Sequence, residues 1–386
     1  MRRLPTAIVL VLAVLICQCQ DSSSRSGSPD NGASEFLGEG DYLGSYWPTD
    51  DWRSCRPEEV GIDSDRLIAV YEYAANPEIN TEGLVIVRDG YIVGEAYFRG
   101  YDKDERHYSY SVAKSFTSAL VGIAIAEGYL DGVEEPVYQF YPEWQTPETP
   151  ALKKDITITH LLTMTSGIQW DESDYYSGTI PNDAYIMHQQ ADMIGYVLNK
   201  PMAHPPGTRW NYSTGNSQLL SGVFESAAGQ TAYEFALDHL LEPIGLTAIG
   251  WDQDAAGHTH TGSGIHATAR EYAKFGYLYL MDGAWDGRQV VPQEWIEESR
   301  QPVSAGVPWY GYHWWRKPAL DGHAGSIVPD DIMIAWGIYT QQVFVIPGER
   351  MVIARIGNDA SPDNDAWDEV EFLTMVLNSV IEPAGR

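Results

Sequence analysis

A serine and a lysine stand three positions apart, at Ser111 and Lys114, where the polar segment 102–110 meets an apolar run. Residues at this spacing on a helix lie on the same face, one turn apart. The run 115–127 is apolar on nearly every side of a helix, and a helix of that kind is buried. Burial disfavours an ammonium group, so we expect the pKa of Lys114 to fall from its reference of about 10.4. A neutral amine beside a hydroxyl can remove its proton, which makes the serine a nucleophile.

The position of Ser111 also suits a reaction that develops negative charge on an oxygen atom. At the first turn of a helix, free backbone N–H groups and the helix dipole favour an oxyanion. Another interpretation of the pair stays open, in which Ser111 caps the helix and Lys114 extends its amine to solvent. Burial of the whole segment favours the catalytic interpretation, because an idle amine inside apolar surroundings is costly.

A tyrosine offers a third chemical group. Tyr212 stands in the turn-rich loop 205–216, which leads into an apolar helix predicted over 218–228. If helical geometry begins early, Tyr212 and Asn216 share one face. A tyrosine beside a buried lysine can act as a base in one step and as an acid in the next. The alternative is an aromatic anchor at the start of the helix.

Metal and thiol sites receive little support from the sequence. His258, His260 and His266 could suggest a metal centre, but no cysteine or carboxylate pattern completes a ligand set. We therefore expect solvated histidines, no metal and no cofactor. Cys55 lies in a polar segment without a companion motif, so a thiol nucleophile is not expected. It is the last cysteine of the chain, and the domain that contains it cannot close an internal disulfide.

Strand patterns occur near both ends of the chain. Residues 84–87 and 91–93 flank an Asp-Gly turn, and residues 343–346 and 351–354 flank a Pro-Gly turn. Helical patterns occupy the middle of the chain and its C-terminal end, over 115–127, 218–228, 232–241, 267–280 and 365–381. We therefore predict an α/β fold, with an antiparallel sheet formed from both chain ends and flanked by helices.

The N-terminal residues have the pattern of a secretory signal. A basic start, a short apolar run and the cysteines Cys17 and Cys19 predict a signal peptide over 1–19, with lipoprotein processing as an open alternative. Residues 20–46 are rich in Ser, Gly and Asp and are predicted to form a flexible tether. A catalytic domain is predicted over 47–386. We expect an exported protein that is periplasmic, anchored to the membrane by a lipidated cysteine, or secreted.

The charge of the chain limits its partners. A formal charge of −30 argues against nucleic acid and anionic membrane surfaces. Acidic residues are spread along the chain, so they indicate a solvated acidic surface and not one particular site. We expect a small-molecule substrate, and membrane attachment only through a lipidated N-terminal cysteine.

Four motifs stand in the order and spacing of a known enzyme family. They are Ser111-x-x-Lys114, the run TITHLLTMTSG at 157–167, the Pro-Gly pair at 206–207 before Tyr212, and HATAR at 266–270. In this combination the chain resembles the serine β-lactamase-related family, which includes penicillin-binding proteins, and within it the branch of 6-aminohexanoate-dimer hydrolases. Class C β-lactamases and related esterases are more distant. The resemblance covers residues 84–357 and implies a β-lactamase/transpeptidase-like fold, with an inserted and mostly helical region at 115–250.

The resemblance implies a role for each matching residue. Ser111 would be the acylated nucleophile, Lys114 its base partner and Tyr212 the third catalytic group. The backbone N–H groups of Ser111 and Ile338 would form the oxyanion hole. An acyl-enzyme of this type forms without a cofactor.

The same resemblance suggests residues that contact the substrate. Tyr175 best matches a tyrosine on the loop after the Thr-Ser-Gly run, with Tyr176 as its near rival. Asn216 matches an asparagine of the closer branch. These matches do not identify the natural substrate, because specificity depends on how the loops shape the cleft.

Two departures from the family bear on the substrate. The Lys-Thr-Gly motif that faces a substrate carboxylate in β-lactamases does not occur here, and His323-Ala324-Gly325 is an open but distant substitute. The Tyr-x-Asn pattern of class C enzymes is replaced by Tyr212-Ser213-Thr214. We therefore expect a serine hydrolase that acts on esters or small linear amides. The alternatives are β-lactamase or D-amino-acid peptidase activity, and a surface-tethered binding protein with an inactive hydrolase fold.

Overall fold

The computed structural model describes residues 35–173, 182–357 and 366–381, and strands from both ends of the chain meet in its largest sheet. The strands are β1 (Thr81–Arg88), β2 (Tyr91–Tyr97), β3 (His107–Tyr108), β4 (Gly250–Trp251), β5 (Ile265–Ala267), β6 (Ala284–Trp285), β7 (Arg288–Gln289), β8 (Trp315–Arg316), β9 (Met333–Gly337), β10 (Gln341–Ile346) and β11 (Met351–Gly357). The six-stranded sheet has the order β2-β1-β11-β10-β9-β8 with antiparallel neighbours. Two small sheets have the orders β3-β5-β4 and β6-β7. Both predicted hairpins and the pairing of the two chain ends are confirmed.

Side chains of the central strands alternate between two apolar layers. In β10, Val343 and Val345 belong to the core on one face of the sheet, whereas Phe344 and Ile346 belong to the core on the other. Successive side chains of a strand point to opposite faces, so a strand that is covered on both sides has to be apolar throughout. This explains why the strand segments appear in the sequence as continuous apolar runs.

Helices cover both faces of the large sheet. They are α1 (Ser64–Ala74), α2 (Ala113–Ala126), α3 (Ala151–Lys154), α4 (Ile158–Leu162), α5 (Asp183–His188), α6 (Met193–Leu198), α7 (Thr214–Ala228), α8 (Ala232–Ala236), α9 (Ala269–Leu280), α10 (Gln293–Ser299) and α11 (Glu369–Ser379). Side chains of α1 and α11 join one core layer, and those of α2, α7 and α9 join the opposite layer. The predicted helices are present with slightly different ends, and the segment predicted over 232–241 is α8 followed by a π-helical turn.

Helix α2 is buried on nearly every side, as its sequence predicts. Each residue from Ala113 to Ala124 is buried. Phe116 stacks on Phe275 of α9 with ring centroids 3.6 Å apart, and α7 and α8 also contact α2. Close packing of this kind leaves little room for movement. The groups at the N-terminal end of α2 are therefore held in fixed positions.

The folded structure begins earlier than the sequence indicates. Residues 35–46, predicted as part of a flexible tether, lie against the outer strand β2 and helix α1. Phe36 stacks on Tyr71 with ring centroids 5.6 Å apart, and Gly38 N donates to Val93 O at 2.8 Å. The tether prediction is wrong for these residues, because their aromatic side chains find partners on helix α1 and strand β2.

The remaining N-terminal predictions concern residues 1–34, which lie outside the described part of the chain. In the residues that are described, no helix is both long enough and apolar enough to cross a bilayer. Cys55 is completely buried, so its thiol is not accessible to a substrate.

Candidate active site

Ser111 lies in a 3-10 turn, Tyr110–Val112, that runs directly into helix α2. The preceding Tyr110 has a φ of 46°, a left-handed conformation that residues other than glycine rarely adopt. Backbone strain of this kind persists only where the surrounding structure fixes it, and it is common at functional sites. Ser111 is half-buried and lines a cavity of about 470 Å³. The predicted nucleophile thus stands in a cleft at the N-terminal end of a buried helix.

The Lys114 side chain is 1% exposed and ends beside Ser111. Its Nζ lies 2.9 Å from Ser111 Oγ, 3.1 Å from Thr214 Oγ1 and 2.7 Å from Gly262 O. Burial lowers the pKa of Lys114 to about 8, and the charge of Glu172 acts in the opposite direction. A neutral amine is therefore accessible near neutral pH, which confirms the prediction made from the apolar pattern of the helix.

Tyr212 meets the same pair of residues. It lines the same cavity as Ser111, and Lys114 Nζ lies 5.0 Å from the centroid of its ring. The ring stacks on Trp315 with centroids 5.5 Å apart, which fixes its orientation. Burial and the charge of Glu172 raise the pKa of Tyr212. The phenol is therefore protonated and neutral in the free protein.

Helix α7 begins two residues after Tyr212, too late for one prediction. Ser213 caps the helix, with its Oγ accepting from Asn216 N at 3.2 Å, and the first helical residue is Thr214. Tyr212 precedes the helix and does not share a helical face with Asn216, so that prediction is wrong. Asn216 is buried, accepts from Ser166 Oγ at 2.7 Å and is not among the residues that line the cleft.

The end of strand β9 packs against the turn that carries Ser111. A Cβ at Gly337 would lie 3.2 Å from Ser111 N and 2.3 Å from the carbonyl oxygen two residues earlier, so this approach requires glycine. Ile338 follows and lines the cleft together with Ser111. Tyr339 and Thr340 each have a φ of 59°, which turns the chain sharply before β10. The two residues predicted to form an oxyanion hole therefore line the same cavity.

Aromatic rings form much of the remaining cleft wall. Trp315, Trp336 and Tyr339 line it together with Tyr212. Glu172 is the charged side chain among the described lining residues, which include no lysine, arginine or histidine. Over the described part of its wall, the cleft thus offers apolar surface and a carboxylate but no fixed cation.

Glu172 is a site residue that the sequence analysis missed. Its Oε1 accepts from Thr214 Oγ1 at 2.6 Å, and its Oε2 accepts from Thr214 N at 2.8 Å and from Trp170 Nε1 at 2.6 Å. Thr214 in turn contacts Lys114. The only signal in the sequence is the position of Glu172 shortly after the Thr-Ser-Gly run, and it is one of 54 acidic residues.

Three further predicted residues do not join the described site. Tyr175 and Tyr176 fall in 174–181, outside the described residues. His323 lies in the loop before β9, where its Nδ1 is 2.6 Å from Leu320 O, and it does not line the cleft. The suggested substitute for a Lys-Thr-Gly motif is therefore not placed to meet a substrate.

The three histidines considered for a metal centre do not converge. His258 Nδ1 lies 2.8 Å from a Glu225 carboxylate oxygen, beside a cavity of about 770 Å³ that includes none of the catalytic candidates. His260 stacks on His188 with ring centroids 5.8 Å apart, and His266 faces a different carboxylate. The larger cavity is thus separate from the chemistry at Ser111, although it is the more voluminous of the two.

Comparison with known proteins decides the family. The β-lactamase family model matches residues 73–374, which is most of the chain. This chain belongs to the β-lactamase family. A curated relative, the 6-aminohexanoate-dimer hydrolase of Paenarthrobacter ureafaciens, is 24% identical over 312 residues, which are 75% of this chain and 76% of the relative.

Solved structures show the fold of this β-lactamase family member. A Bacillus anthracis protein provisionally named a 6-aminohexanoate-dimer hydrolase superposes with a TM-score of 0.67 at 20% identity, over 89% of this chain and 88% of its own. A family VIII carboxylesterase superposes with a TM-score of 0.63 at 14% identity, over 85% of this chain and 99% of its own. The predicted fold and the resemblance inferred from the motifs are confirmed, and the chain is assigned to a family of hydrolases.

Proposed function

We propose that this β-lactamase family member is a serine hydrolase that cleaves amide or ester bonds through an acyl-enzyme on Ser111. The observation that carries the proposal is the 2.9 Å contact between Lys114 Nζ and Ser111 Oγ, made by a lysine that is 1% exposed. Burial lowers the pKa of this amine and makes it a base. The alternative, a capping serine beside a lysine that extends to solvent, needs an exposed amine.

Acylation begins with proton transfer inside this pair. The proton of Ser111 Oγ passes to the neutral amine of Lys114 as Oγ attacks the carbonyl carbon of the substrate. The π electrons of the carbonyl move to its oxygen and a tetrahedral intermediate forms. The N–H groups of Ser111 and Ile338 donate to this oxygen, beside the N-terminal end of α2, where negative charge is favoured.

Tyr212 is proposed as the acid for the leaving group. Its raised pKa keeps the phenol protonated until the C–N or C–O bond breaks. Tyr212 then gives its proton to the departing nitrogen or oxygen, and the ammonium of Lys114 returns a proton to Tyr212. In deacylation, water gives a proton to Lys114 as it attacks the acyl carbon. Ser111 takes that proton back when it leaves.

The cleft favours substrates without a carboxylate next to the scissile bond. Penicillins and D-Ala-D-Ala peptides carry one, and it would meet the charge of Glu172 without a basic side chain in the described wall to offset the repulsion. Esters avoid this conflict, and so do linear amides whose carboxylate lies several methylene groups from the scissile bond. The names of two relatives, a 6-aminohexanoate-dimer hydrolase and a carboxylesterase, support the same substrate classes. Tyr175 and Tyr176 are the proposed further contacts.

A substrate panel tests this proposal. Wild type and Ser111→Ala are assayed with p-nitrophenyl esters, the 6-aminohexanoate dimer and nitrocefin. We expect wild type to turn over the esters or the linear amide, with little hydrolysis of nitrocefin, and Ser111→Ala to lose all turnover. Equal activity of the two proteins would end the proposal.

A covalent probe separates a hydrolase from a binding protein on the same fold. A fluorophosphonate reacts with an activated serine hydroxyl, so we expect wild type to be labelled and Ser111→Ala to remain unlabelled. Ser226→Ala, a serine beside the larger cavity, is the matched control and should be labelled like wild type. An unlabelled wild-type protein would favour the binding-protein alternative.

Export of the protein is a separate proposal that rests on the sequence. The apolar run and the cysteines Cys17 and Cys19 support a cleaved signal at 1–19. Mass spectrometry of the native protein tests it. A chain that starts at a lipidated cysteine or just after the leader supports export, and a chain that retains Met1 would contradict it.

A further inference from the structure

A carboxylate in the cleft is joined to the nucleophile through two side chains. Glu172 accepts from Thr214 Oγ1 at 2.6 Å, and Thr214 Oγ1 lies 3.1 Å from Lys114 Nζ. Lys114 Nζ lies 2.9 Å from Ser111 Oγ. The serine, lysine and tyrosine chemistry proposed above assigns no role to Glu172 or Thr214, although they form one continuous chain of contacts with it.

The direction of each hydrogen bond follows from counting donors. An ionised carboxylate only accepts, so the single proton of the Thr214 hydroxyl points to Glu172. The second carboxylate oxygen accepts from Thr214 N at 2.8 Å and from Trp170 Nε1 at 2.6 Å, which holds the carboxylate in place. Thr214 Oγ1 can therefore meet Lys114 only as an acceptor.

This direction decides where the lone pair of Lys114 points. A neutral amine has two N–H donors and one lone pair. Gly262 O, 2.7 Å away, can only accept, and Thr214 Oγ1 is limited to accepting, so both N–H groups are assigned. The lone pair is left for Ser111 Oγ. Glycine is required at Gly262, because a Cβ there would lie 2.6 Å from the Thr214 methyl group.

We propose that Glu172 and Thr214 are positioning residues that direct the lone pair of Lys114 at Ser111, and that Glu172 stabilises the ammonium formed by proton transfer. The inference rests on the proposed function, because it takes Lys114 as the base. In this step the O–H bond of Ser111 breaks and an N–H bond forms on Lys114. The hydroxyl proton of Thr214 stays on Thr214, and Glu172 stays ionised. The ammonium then has three protons for its three neighbouring oxygens.

Glu172 supplies the charge that the ammonium needs. It raises the pKa of Lys114 against the effect of burial. The other titratable groups that act on or with Lys114 are Tyr212, His188 and His313. Burial raises the pKa of Tyr212 and lowers the pKa of His188 to about 4 and that of His313 to about 3. All three are uncharged near neutral pH, so among the described residues the charge that acts on Lys114 there is that of Glu172.

Two simpler roles for Glu172 predict different behaviour. As a structural group, it would hold its loop to the N-terminal end of α7, and its loss would lower stability without changing the pH dependence of acylation. As a general base for the hydrolytic water, it would act in deacylation and leave acylation intact. Its two oxygens already accept three hydrogen bonds, which leaves little lone-pair capacity to take a proton from water.

The first test is Glu172→Gln in the full chain, with acylation followed by the p-nitrophenyl ester burst and by fluorophosphonate labelling across pH. The glutamine amide can donate to Thr214 Oγ1, which frees the threonine proton to occupy the lone pair of Lys114. We expect acylation to slow by about 10²-fold or more. Loss of the negative charge lowers the pKa of Lys114, so the midpoint of the remaining activity moves to lower pH by about one unit.

Matched variants make the outcome specific. Glu225→Gln removes a carboxylate from α7 outside the cleft and should leave the rate and the midpoint unchanged. Thr214→Ser keeps the hydroxyl and should retain most of the acylation rate, whereas Thr214→Val should lose about 10²-fold. The two Thr214 variants also test the proposed positioning role if Glu172→Gln does not fold.

Several results would overturn the positioning role proposed for Glu172 and Thr214. One is an unchanged acylation rate and midpoint in Glu172→Gln. Another is an equal rate in Thr214→Ser and Thr214→Val. A lowered melting temperature with a wild-type midpoint would make Glu172 a structural residue only, and slowed deacylation with normal acylation would make it the base for water. Turnover that persists in Ser111→Ala would instead remove the proposed function itself.

Discussion

Of the places where the protein brings a carboxylate to a basic side chain, two have opposite results. At Lys114, burial outweighs the charge of Glu172 and lowers the pKa to about 8. At His258, the hydrogen bond to Glu225 outweighs burial and raises the pKa. The contacts differ accordingly. Glu225 Oε2 lies 2.8 Å from the imidazole Nδ1, whereas Glu172 meets Lys114 only through the Thr214 hydroxyl.

The comparison shows what separates a base from an ion pair. Lys114 is 1% exposed, so its charged form has lost its solvation, and an intervening hydroxyl keeps the opposite charge at a distance. His258 is half-buried, retains part of its solvation and gains a charge-assisted hydrogen bond. The first group can accept a proton near neutral pH. In the second group the protonated form is favoured, and an imidazolium cannot accept a further proton.

The largest effect is expected from removing the base. Lys114→Met fills the same space without an amine, and the acylation rate should fall by about 10⁴-fold or more, because Ser111 is left without a proton acceptor. The ester burst measures this rate. His258→Gln changes the basic group of the other site and should acylate like wild type. Near-normal acylation by Lys114→Met would exclude Lys114 as the base.

The next effect comes from making the two sites alike. The double variant Thr214→Asp with Glu172→Gln moves the carboxylate into direct contact with Lys114 while the net charge stays the same. Direct contact should raise the pKa of Lys114 by about 1–3 units. Because acylation needs the neutral amine, activity at neutral pH should fall by about 10–10³-fold and recover in alkali. A pH–rate profile with the wild-type midpoint would contradict the role given to the intervening hydroxyl.

A smaller effect is expected where the backbone of β9 approaches Ser111. Gly337→Ala would place a Cβ 2.3 Å from a carbonyl oxygen of the serine turn, so Ile338 N has to move away from the developing oxyanion. We expect kcat to fall by about 10-fold or more with little change in KM. Gly306→Ala is the control, because a Cβ there would meet only Ser304 Oγ, at an ordinary contact distance of 3.8 Å. An unchanged kcat in Gly337→Ala would argue against an oxyanion hole at this position.

The smallest effect concerns the ion pair. Glu225→Gln should leave catalysis unchanged and alter only the pH dependence of stability. The pKa of His258 is raised in the folded state, so its contribution to stability is complete below the unfolded-state pKa of about 6.5 and is lost as pH rises through the folded value. Wild type should exceed the variant in melting temperature by about 1–3 °C at acidic pH and lose that advantage in alkali. A melting-temperature difference between wild type and variant that is the same at all pH values would contradict the role given to the ion pair.

The serine and lysine of the site could be predicted because they belong to one turn of chain. The apolar pattern after Ser111 and Lys114 already indicates burial, and burial indicates a lowered pKa. The strands were predictable for a similar reason, because the two core layers leave a continuous apolar run in each of them. In both cases the deciding information lies within a few residues.

The rest of the site depends on contacts between distant segments. Glu172 meets Thr214 from 42 positions away, and Gly262 gives its carbonyl to Lys114 from 148 positions away. The helical and strand patterns in the sequence do not indicate contacts between segments so far apart. Asn216 shows a related limit, because a motif match names the residue but not the direction in which its side chain points, which here is away from the cleft.

The pH dependence of Ser111 acylation tests the neutral-lysine mechanism most directly. With a p-nitrophenyl ester in excess, the burst rate of wild type should rise with pH to a plateau, with a midpoint near the pKa of about 8 that burial gives Lys114. A midpoint near the lysine reference of about 10.4, or a burst rate that does not change with pH, would contradict a buried amine as the base.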